Sequence, residues 1–314
     1  MSRTCSSSLK IGIVGFGSFG QFLAKTMIKQ GHTLRAISHT DYTHSSLQMG
    51  IQFFRNVVGF LEADNDVILI CTSILSLSEV LTSMPLTRLK RPALFVDVLS
   101  VKEHPREILL RDLNFFHPIP GTKERGSHII SGFPLNSLSF FFFSAEESDI
   151  LCTHPMFGPD SGKDGWNDLT FVYDKVRIRD EAICSNFLHI FASEGCRMLQ
   201  MSCEEHDKVA AKSQFITHTI GRTLAEMDIK STPIDTKGFQ TLVQLPVMVV
   251  TCCIDKTISD SLTFRNLLQK DTTMRDSLDL YSGLFIHNRF AVQELDNLEQ
   301  ALHKVKEMLL ALKR

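Results

Sequence analysis

A single histidine, His154, stands in the run "CTHPMFGPDSGKDGW", between Thr153 and Pro155 and ahead of Gly158, Gly162 and Gly165. An imidazole titrates near neutrality, so a histidine held at the end of an apolar strand can take a proton from a substrate hydroxyl. A packed core histidine is the alternative reading. Ser100 closes another apolar run, "ALFVDVLS", and is either a partner in that chemistry or the cap of the helix expected over "VKEHPREILL". A third pattern, Gly15-Phe16-Gly17-Ser18-Phe19-Gly20, has the spacing of a pyrophosphate-binding turn.

These residues need elements to hold them. "LKIGIV" before the glycines reads as a short buried strand. Phe22, Leu23, Met27 and Ile28 after them recur at helical spacing, up to a stop at Gly31. Strand, glycine turn and helix in that order are the context a dinucleotide site requires. Gly15 would permit the turn, Gly17 the approach of a pyrophosphate and Gly20 the packing of helix on strand, with Ser18 and Phe19 opening the helix. The second strand, "HTLRAIS", ends in Ser38-His39-Thr40-Asp41. An NAD site usually has an acid at that end for the ribose 2′-hydroxyl. Ser38, His39 and Thr40 favour the 2′-phosphate of NADP, while Asp41 argues for NAD. "DVILICTSI", "ALFVDVLS" and "DILCTHPMFGP" continue the alternation of strand and helix. Ligands sit at the carboxyl ends of strands in open α/β sheets, so Thr72, Ser73, Ser100 and His154 all point to one cleft.

The second half reads mainly as amphipathic helix. Ser202 and Glu205 have capping-box spacing. His206, Ser213, Gln214, Thr217 and His218 then fall on related helical faces, which suggests a substrate pocket or a subunit interface. "AVQELDNLEQALHKVKEMLLALKR" reads as a packing or dimer helix.

Composition narrows the classes. The 314 residues suggest two domains. The chain is 43% hydrophobic and 22% charged with a formal charge of -2, which points away from nucleic acid and from an anionic membrane surface. Its longest apolar runs fall far short of the ~20 residues that span a bilayer. The eight cysteines form no C-x-x-C pair or zinc-ligand spacing, so reduced thiols and no metal site are expected. The few residues ahead of the first strand suggest a cytoplasmic protein, or a plastid one if the N-terminus extends further.

The assembled pieces resemble the prephenate/arogenate dehydrogenases of tyrosine biosynthesis, most closely the plant type. The pieces are "KIGIVGFGSFGQFLAKTMIKQGH", "LFVDVLSVKEHP", "DILCTHPMFGPDSGKDGW", "MSCEEHDKVAAKSQFITHTIGR", "STPIDTKGF" and "DSLDLYSGLF". The resemblance implies a Rossmann domain over 1–180 and an all-helical substrate and dimerisation domain over 181–314. It implies NADP-dependent oxidative decarboxylation of a cyclohexadienol, with His154 as the base and Ser100 orienting it. It also implies a substrate pocket that takes in Ser161, Ser213, Gln214, Thr217, Lys237, Gln244 and Asp276. Asp276 would select the ammonium of arogenate over the keto group of prephenate, unless it merely caps the following helix. Two stretches depart from the family, 114–144 and 246–273. Phe140 to Phe143 in the first resemble a translated pyrimidine tract before a splice acceptor. Gln244 stands where relatives carry a basic residue. The rival readings are a β-hydroxyacid or imine-type dehydrogenase and an inactive cofactor-binding paralogue.

Overall fold

In a computed structural model the described residues are 7–114, 147–226, 231–251 and 286–311. They form one eight-stranded sheet in the order β3-β2-β1-β4-β5-β6-β7-β8. The strands are β1 (Lys10–Val14), β2 (Thr33–Ile37), β3 (Gln52–Phe54), β4 (Val67–Ile70), β5 (Leu94–Asp97), β6 (Asp149–Pro155), β7 (Thr170–Arg177) and β8 (Arg197–Gln200). All neighbours pair parallel except β6 and β7. The chain reverses direction across the sheet between β1 and β4, the place where an α/β sheet opens a ligand crevice.

The composition of the central strands follows from burial on both faces. Every residue of β4, β5 and β6 is buried. Ile11, Ile13, Val67, Leu69, Val96 and Leu151 belong to one core, with Leu23 and Met27 of α1 (Ser18–Lys29) above them. Ile68, Ile70, Phe95, Ile150 and Cys152 belong to the other, with Ile108 and Leu109 packed against them. The period-2 alternation of side chains thus assigns each strand to two helical layers at once.

Short helices α2 (Thr43–Gln48), α3 (Val57–Leu61) and α4 (Leu77–Ser83) connect the first five strands. α5 (Glu103–Asn114) follows β5, and α6 (Glu181–Ser193) lies between β7 and β8. The sheet therefore continues to Gln200, past residue 180, where the sequence puts the start of a helical unit. The segment "CRMLQ" is too short to show its period, and only pairing with β7 defines it as strand. Beyond it run α7 (Cys203–Ala210), a π-helical turn (Ala211–Phe215), α8 (Ile216–Glu226), α9 (Lys237–Thr251) and α10 (Ala291–Ala311). Ser202 caps α7 by accepting from the Glu205 amide at 3.2 Å. Residues 115–146 and 252–285, which contain nearly all of the two departing stretches and Asp276, lie outside the described residues.

Candidate active site

The glycine turn joins β1 to α1, and close backbone approaches explain two of its three glycines. Gly15 has φ +91°, and a Cβ there would meet the Cys71 carbonyl oxygen at 2.6 Å. At Gly20 a Cβ would meet the Gly15 carbonyl oxygen at 2.6 Å, so only glycine lets α1 approach the turn. A Cβ on Gly17 would meet nothing within 4 Å. Gly17 is also the N-cap of α1 and supplies no side-chain cap. The first amides of α1 therefore border a space in which an anion can accept from them. The residues present fit a dinucleotide pyrophosphate.

That space opens into a cavity of about 350 Å³ at the carboxyl ends of β1, β4, β5 and β6. Gly17, Ser18, Phe19, Gly20, Thr72 and Ser73 line it, together with Ser100, His154, Ser161 and Gln214. Three of these carry buried oxygens without a protein partner: Thr72 Oγ1, Ser100 Oγ and Gln214 Oε1. Unsatisfied buried polar atoms cost roughly 1–3 kcal/mol each, so their clustering around one cavity marks a place where a ligand completes the hydrogen bonding. Ser100 is thus not the cap of α5. That helix begins at Glu103, and the Asp207 carboxylate serves its first amides instead, accepting from Lys102 N at 2.8 Å and Glu103 N at 3.0 Å. Ser73 does act as a cap, accepting from Leu75 N at 3.2 Å at the head of a 3-10 turn.

His154 is 4% exposed, at the end of β6. Its Nδ1 lies 2.8 Å from His206 Nε2 on α7, and His206 Nδ1 lies 2.8 Å from Asp207 Oδ1. Burial, His206 and the Lys102 ammonium together hold the His154 imidazole well below its ordinary pKa, so it is neutral and able to accept a proton. Lys102 is itself buried, paired with Asp97 and donating to the Thr153 carbonyl oxygen. The Thr153 hydroxyl donates to the Asp97 carbonyl oxygen at 2.6 Å, which ties β5 and β6 together beneath the histidine. His206 and Asp207 escaped the sequence reading as a functional pair. The signal was an adjacent His-Asp immediately inside a helix cap, at a depth where a helix usually presents apolar residues.

The other sequence-derived candidates spread out. Ser213 and Thr217 are exposed, and their hydroxyls donate back to the Val209 and Ser213 carbonyl oxygens at 3.0 and 2.9 Å. Gln214 lies in the π turn and lines the cavity, whereas Ser213 and Thr217 do not. Lys237 and Gln244 are exposed on α9 and do not line the cavity. At the end of β2, Ser38 is half-buried and His39 and Thr40 are exposed. Asp41 accepts from Thr43 N at 2.9 Å and from Thr43 Oγ1 at 2.5 Å, and it pairs with Arg55 at 2.6 Å. These hydrogen bonds and the guanidinium hold its carboxyl below the usual range. Arg55, directly after β3, is a residue that sequence spacing did not bring to this edge.

The five described cysteines are free, and burial pushes the Cys184 thiol up to about 11. Among the described residues no three His, Cys, Asp or Glu side chains are grouped to hold a metal, and no helix is long and apolar enough to cross a membrane.

Similarity to known proteins agrees with this architecture. Residues 10–100 match the family described as NADP oxidoreductase, coenzyme F420-dependent, and residues 223–255 and 248–314 match the TYRAAT1-like C-terminal domain. The chain is 46% identical over 307 residues to arogenate dehydrogenase 1, chloroplastic, of Arabidopsis thaliana. That alignment takes in 96% of this chain but 39% of the relative's length. Arogenate dehydrogenase 2, chloroplastic, of the same plant is 43% identical over 308 residues, covering 97% of this chain and 71% of the relative. Two solved structures share the fold at low identity. The A. aeolicus prephenate dehydrogenase in complex with hydroxyphenyl propionate and NAD+ aligns with TM-score 0.63 and 15% identity, over 98% of this chain and 93% of the other. The Synechocystis arogenate dehydrogenase aligns with TM-score 0.52 and 17% identity, over 97% and 93%.

Proposed function

The chain belongs to the arogenate dehydrogenase family, and on that premise we propose that it catalyses the NADP-dependent oxidative decarboxylation of arogenate to tyrosine. The observation that carries this reading is one cavity that unites the glycine turn, the unpartnered Ser100 hydroxyl and the buried neutral His154.

The amides of Ser18, Phe19 and Gly20 and the Thr72 hydroxyl would hold the cofactor. When bound, the nicotinamide supplies the hydride acceptor. His154 accepts the proton of the substrate's ring hydroxyl, and Ser100 donates to or accepts from the same oxygen to hold it in place. The carbinol hydrogen leaves as hydride to the nicotinamide, the bond to the ring carboxylate breaks, carbon dioxide departs, and the resulting phenolate oxygen takes the proton back from His154. Aromatisation of the ring supplies most of the driving force. Positioning and the handling of one proton are the protein's share. Gln214, whose Oε1 is buried and unpartnered, is the pocket residue best suited to accept from the substrate's polar groups.

NADP is favoured over NAD by the end of β2. Ser38, His39 and Thr40 present no acid there, and Asp41 is occupied by Thr43 and Arg55. The Arg55 guanidinium offsets the Asp41 charge, so this edge does not repel a 2′-phosphate. A homodimer through the helical region is supported by large apolar side chains left exposed on or beside α9 and α10, among them Ile234, Leu242, Val292 and Leu302. Action in the plastid is preferred because both Arabidopsis relatives are named chloroplastic.

The deciding experiment is NADP+ reduction by the purified chain with arogenate and prephenate in parallel. Turnover of arogenate alone supports the full reading. Turnover of prephenate instead gives 4-hydroxyphenylpyruvate as product and reassigns the substrate. Failure to turn over either, in a folded sample that binds NADP+, overturns the activity and leaves an inactive cofactor-binding paralogue.

A further inference from the structure

Asp207 makes more connections than a helix residue needs. It is fully buried. Oδ1 accepts from the Lys102 amide and faces His206 Nδ1, both at 2.8 Å. Oδ2 accepts from the Glu103 amide at 3.0 Å, and the main-chain oxygen accepts from Asn288 Nδ2 at 2.8 Å. An ionised carboxylate can only accept. With a single proton on its ring, His206 carries it on Nδ1, which leaves Nε2 as an acceptor. Nε2 lies 2.8 Å from His154 Nδ1, so His154 in turn must be the donor there. The ring nitrogen then left without a proton is His154 Nε2.

We propose that Asp207 and His206 are positioning residues that hold His154 in its Nδ1–H form, with Nε2 free as the base for the substrate hydroxyl. The proposal rests on the reading of His154 as the proton acceptor. It assigns to α7 a task that the cavity lining does not reveal, since neither Asp207 nor His206 lines it. Asp207 also fixes the chain directly after Ser100 through the Lys102 and Glu103 amides. One carboxylate thus sets both the orientation of the base and the path of the serine loop. Without it, His206 is free to place its proton on Nε2. His154 would then have to accept at Nδ1 and carry its own proton on Nε2, where the base should be vacant.

The charged surroundings are unequal. Burial and the Lys102 ammonium, which is paired with Asp97, oppose a proton on His154. When Nε2 takes the substrate proton, the positive charge can be shared through Nδ1–H with His206, which contacts the Asp207 carboxylate directly. In a Ser-His-Asp triad, replacing the carboxylate by its amide leaves the geometry but favours the wrong tautomer, at a cost of about 10⁴ in kcat.

The test is ¹⁵N NMR of the histidine-labelled full chain, with His154 assigned by its loss in His154→Asn. This readout needs no substrate. The expected result near pH 7 is a His154 with Nδ1 protonated and Nε2 unprotonated. In Asp207→Asn one amide oxygen replaces an acceptor that serves three donors, and His154 should shift toward a mixture of tautomers. His206→Phe, which removes the acceptor and keeps a ring, should act in the same direction. Both variants should lose roughly 10²–10⁴ in kcat with KM changed by far less, and the pH profile of kcat/KM should move. Circular dichroism and NADP+ binding report on folding. A His154 that carries its proton on Nε2 in the unaltered chain overturns the proposal even if both variants fail to fold. An unchanged His154 spectrum in two folded variants also overturns it. Nδ1–H in a chain without turnover would sink the proposed reaction and leave the relay standing. Turnover with Nε2–H would do the reverse.

Discussion

The ends of β5 and β6 and the end of β2 lie along the same edge of the sheet, yet they are built on opposite principles. At β5 and β6, Ser100 and His154 are buried, and Lys102, Asp97, His206 and Asp207 beneath them are almost wholly excluded from water. At β2, His39, Thr40 and Asp41 are exposed, and the Arg55 to Asp41 pair is open to solvent. On the proposed function the first region holds one ring in one tautomer, and low dielectric makes each contact there strong and each orphan costly. On the same proposal the second only meets the ribose end of a cofactor, and solvent weakens each contact there. Substitutions should therefore have large and specific effects at the first and graded effects at the second.

The comparison breaks most visibly at His154. His154→Asn should lower kcat by about 10²–10⁴ while NADP+ binding, followed by fluorescence quenching, stays within a few-fold. Equal loss of both would mean that His154 serves cofactor binding and not proton transfer. Beneath it, Lys102→Met leaves Asp97 as an unpaired buried carboxylate. Such a change costs about 3–5 kcal/mol, measurable as a lower urea midpoint. A midpoint within error of the parent would show that Asp97 simply takes up a proton, the direction in which its burial already pushes it.

Ser100→Ala separates function from stability. The Ser100 hydroxyl has no partner in the free chain, so its removal should not lower the urea midpoint. Turnover should fall by roughly 10–100-fold through the lost contact to the substrate oxygen. At the exposed end, Arg55→Ala should weaken 2′-AMP and NADP+ binding about tenfold and leave NAD+ unchanged. Equal weakening of all three would assign Arg55 to Asp41 alone.

The smallest effect is a pH slope. Burial holds His32, His154 and His287 below 6.5 and lowers His104, with help from His287 stacked on it, to about 4. The unfolded chain binds these protons near pH 6.5 and the folded chain only at lower pH. Stability should thus be complete above about 6.5 and decline as the pH falls toward 4. The raised Asp97 works in the opposite sense, as one group against four. His104→Asn should flatten part of the slope in urea titrations at pH 7 and 5.

Much of the fold was legible because burial leaves a period in the sequence. β1, the glycine turn and α1 could be read directly, since Gly15 and Gly20 answer local backbone needs. Strand ends could be read as well, and so Ser100 and His154 were brought to one cleft before any contact was known. β8 was not legible, because four residues carry no period and only pairing with β7 defines them. Ser73 and Thr72 are adjacent and chemically alike, but one hydroxyl caps a turn and the other faces the cavity unpartnered. Ser213 and Thr217 do not line the cavity with Gln214, which lies in a π turn that an ideal helical wheel does not take into account.

The sequence by itself determined which strands are buried on both faces, where the phosphate turn lies and which strand ends meet. These follow from local backbone geometry and from the repeat of apolar residues. Tertiary structure alone decided that His206 reaches His154 from 52 positions away, that Asp207 spans to Lys102 across 105, and that Arg55 neutralises Asp41. Hydrogen bonds of that kind leave no period in the chain. They exist only once α7 has packed its first turn against the start of α5.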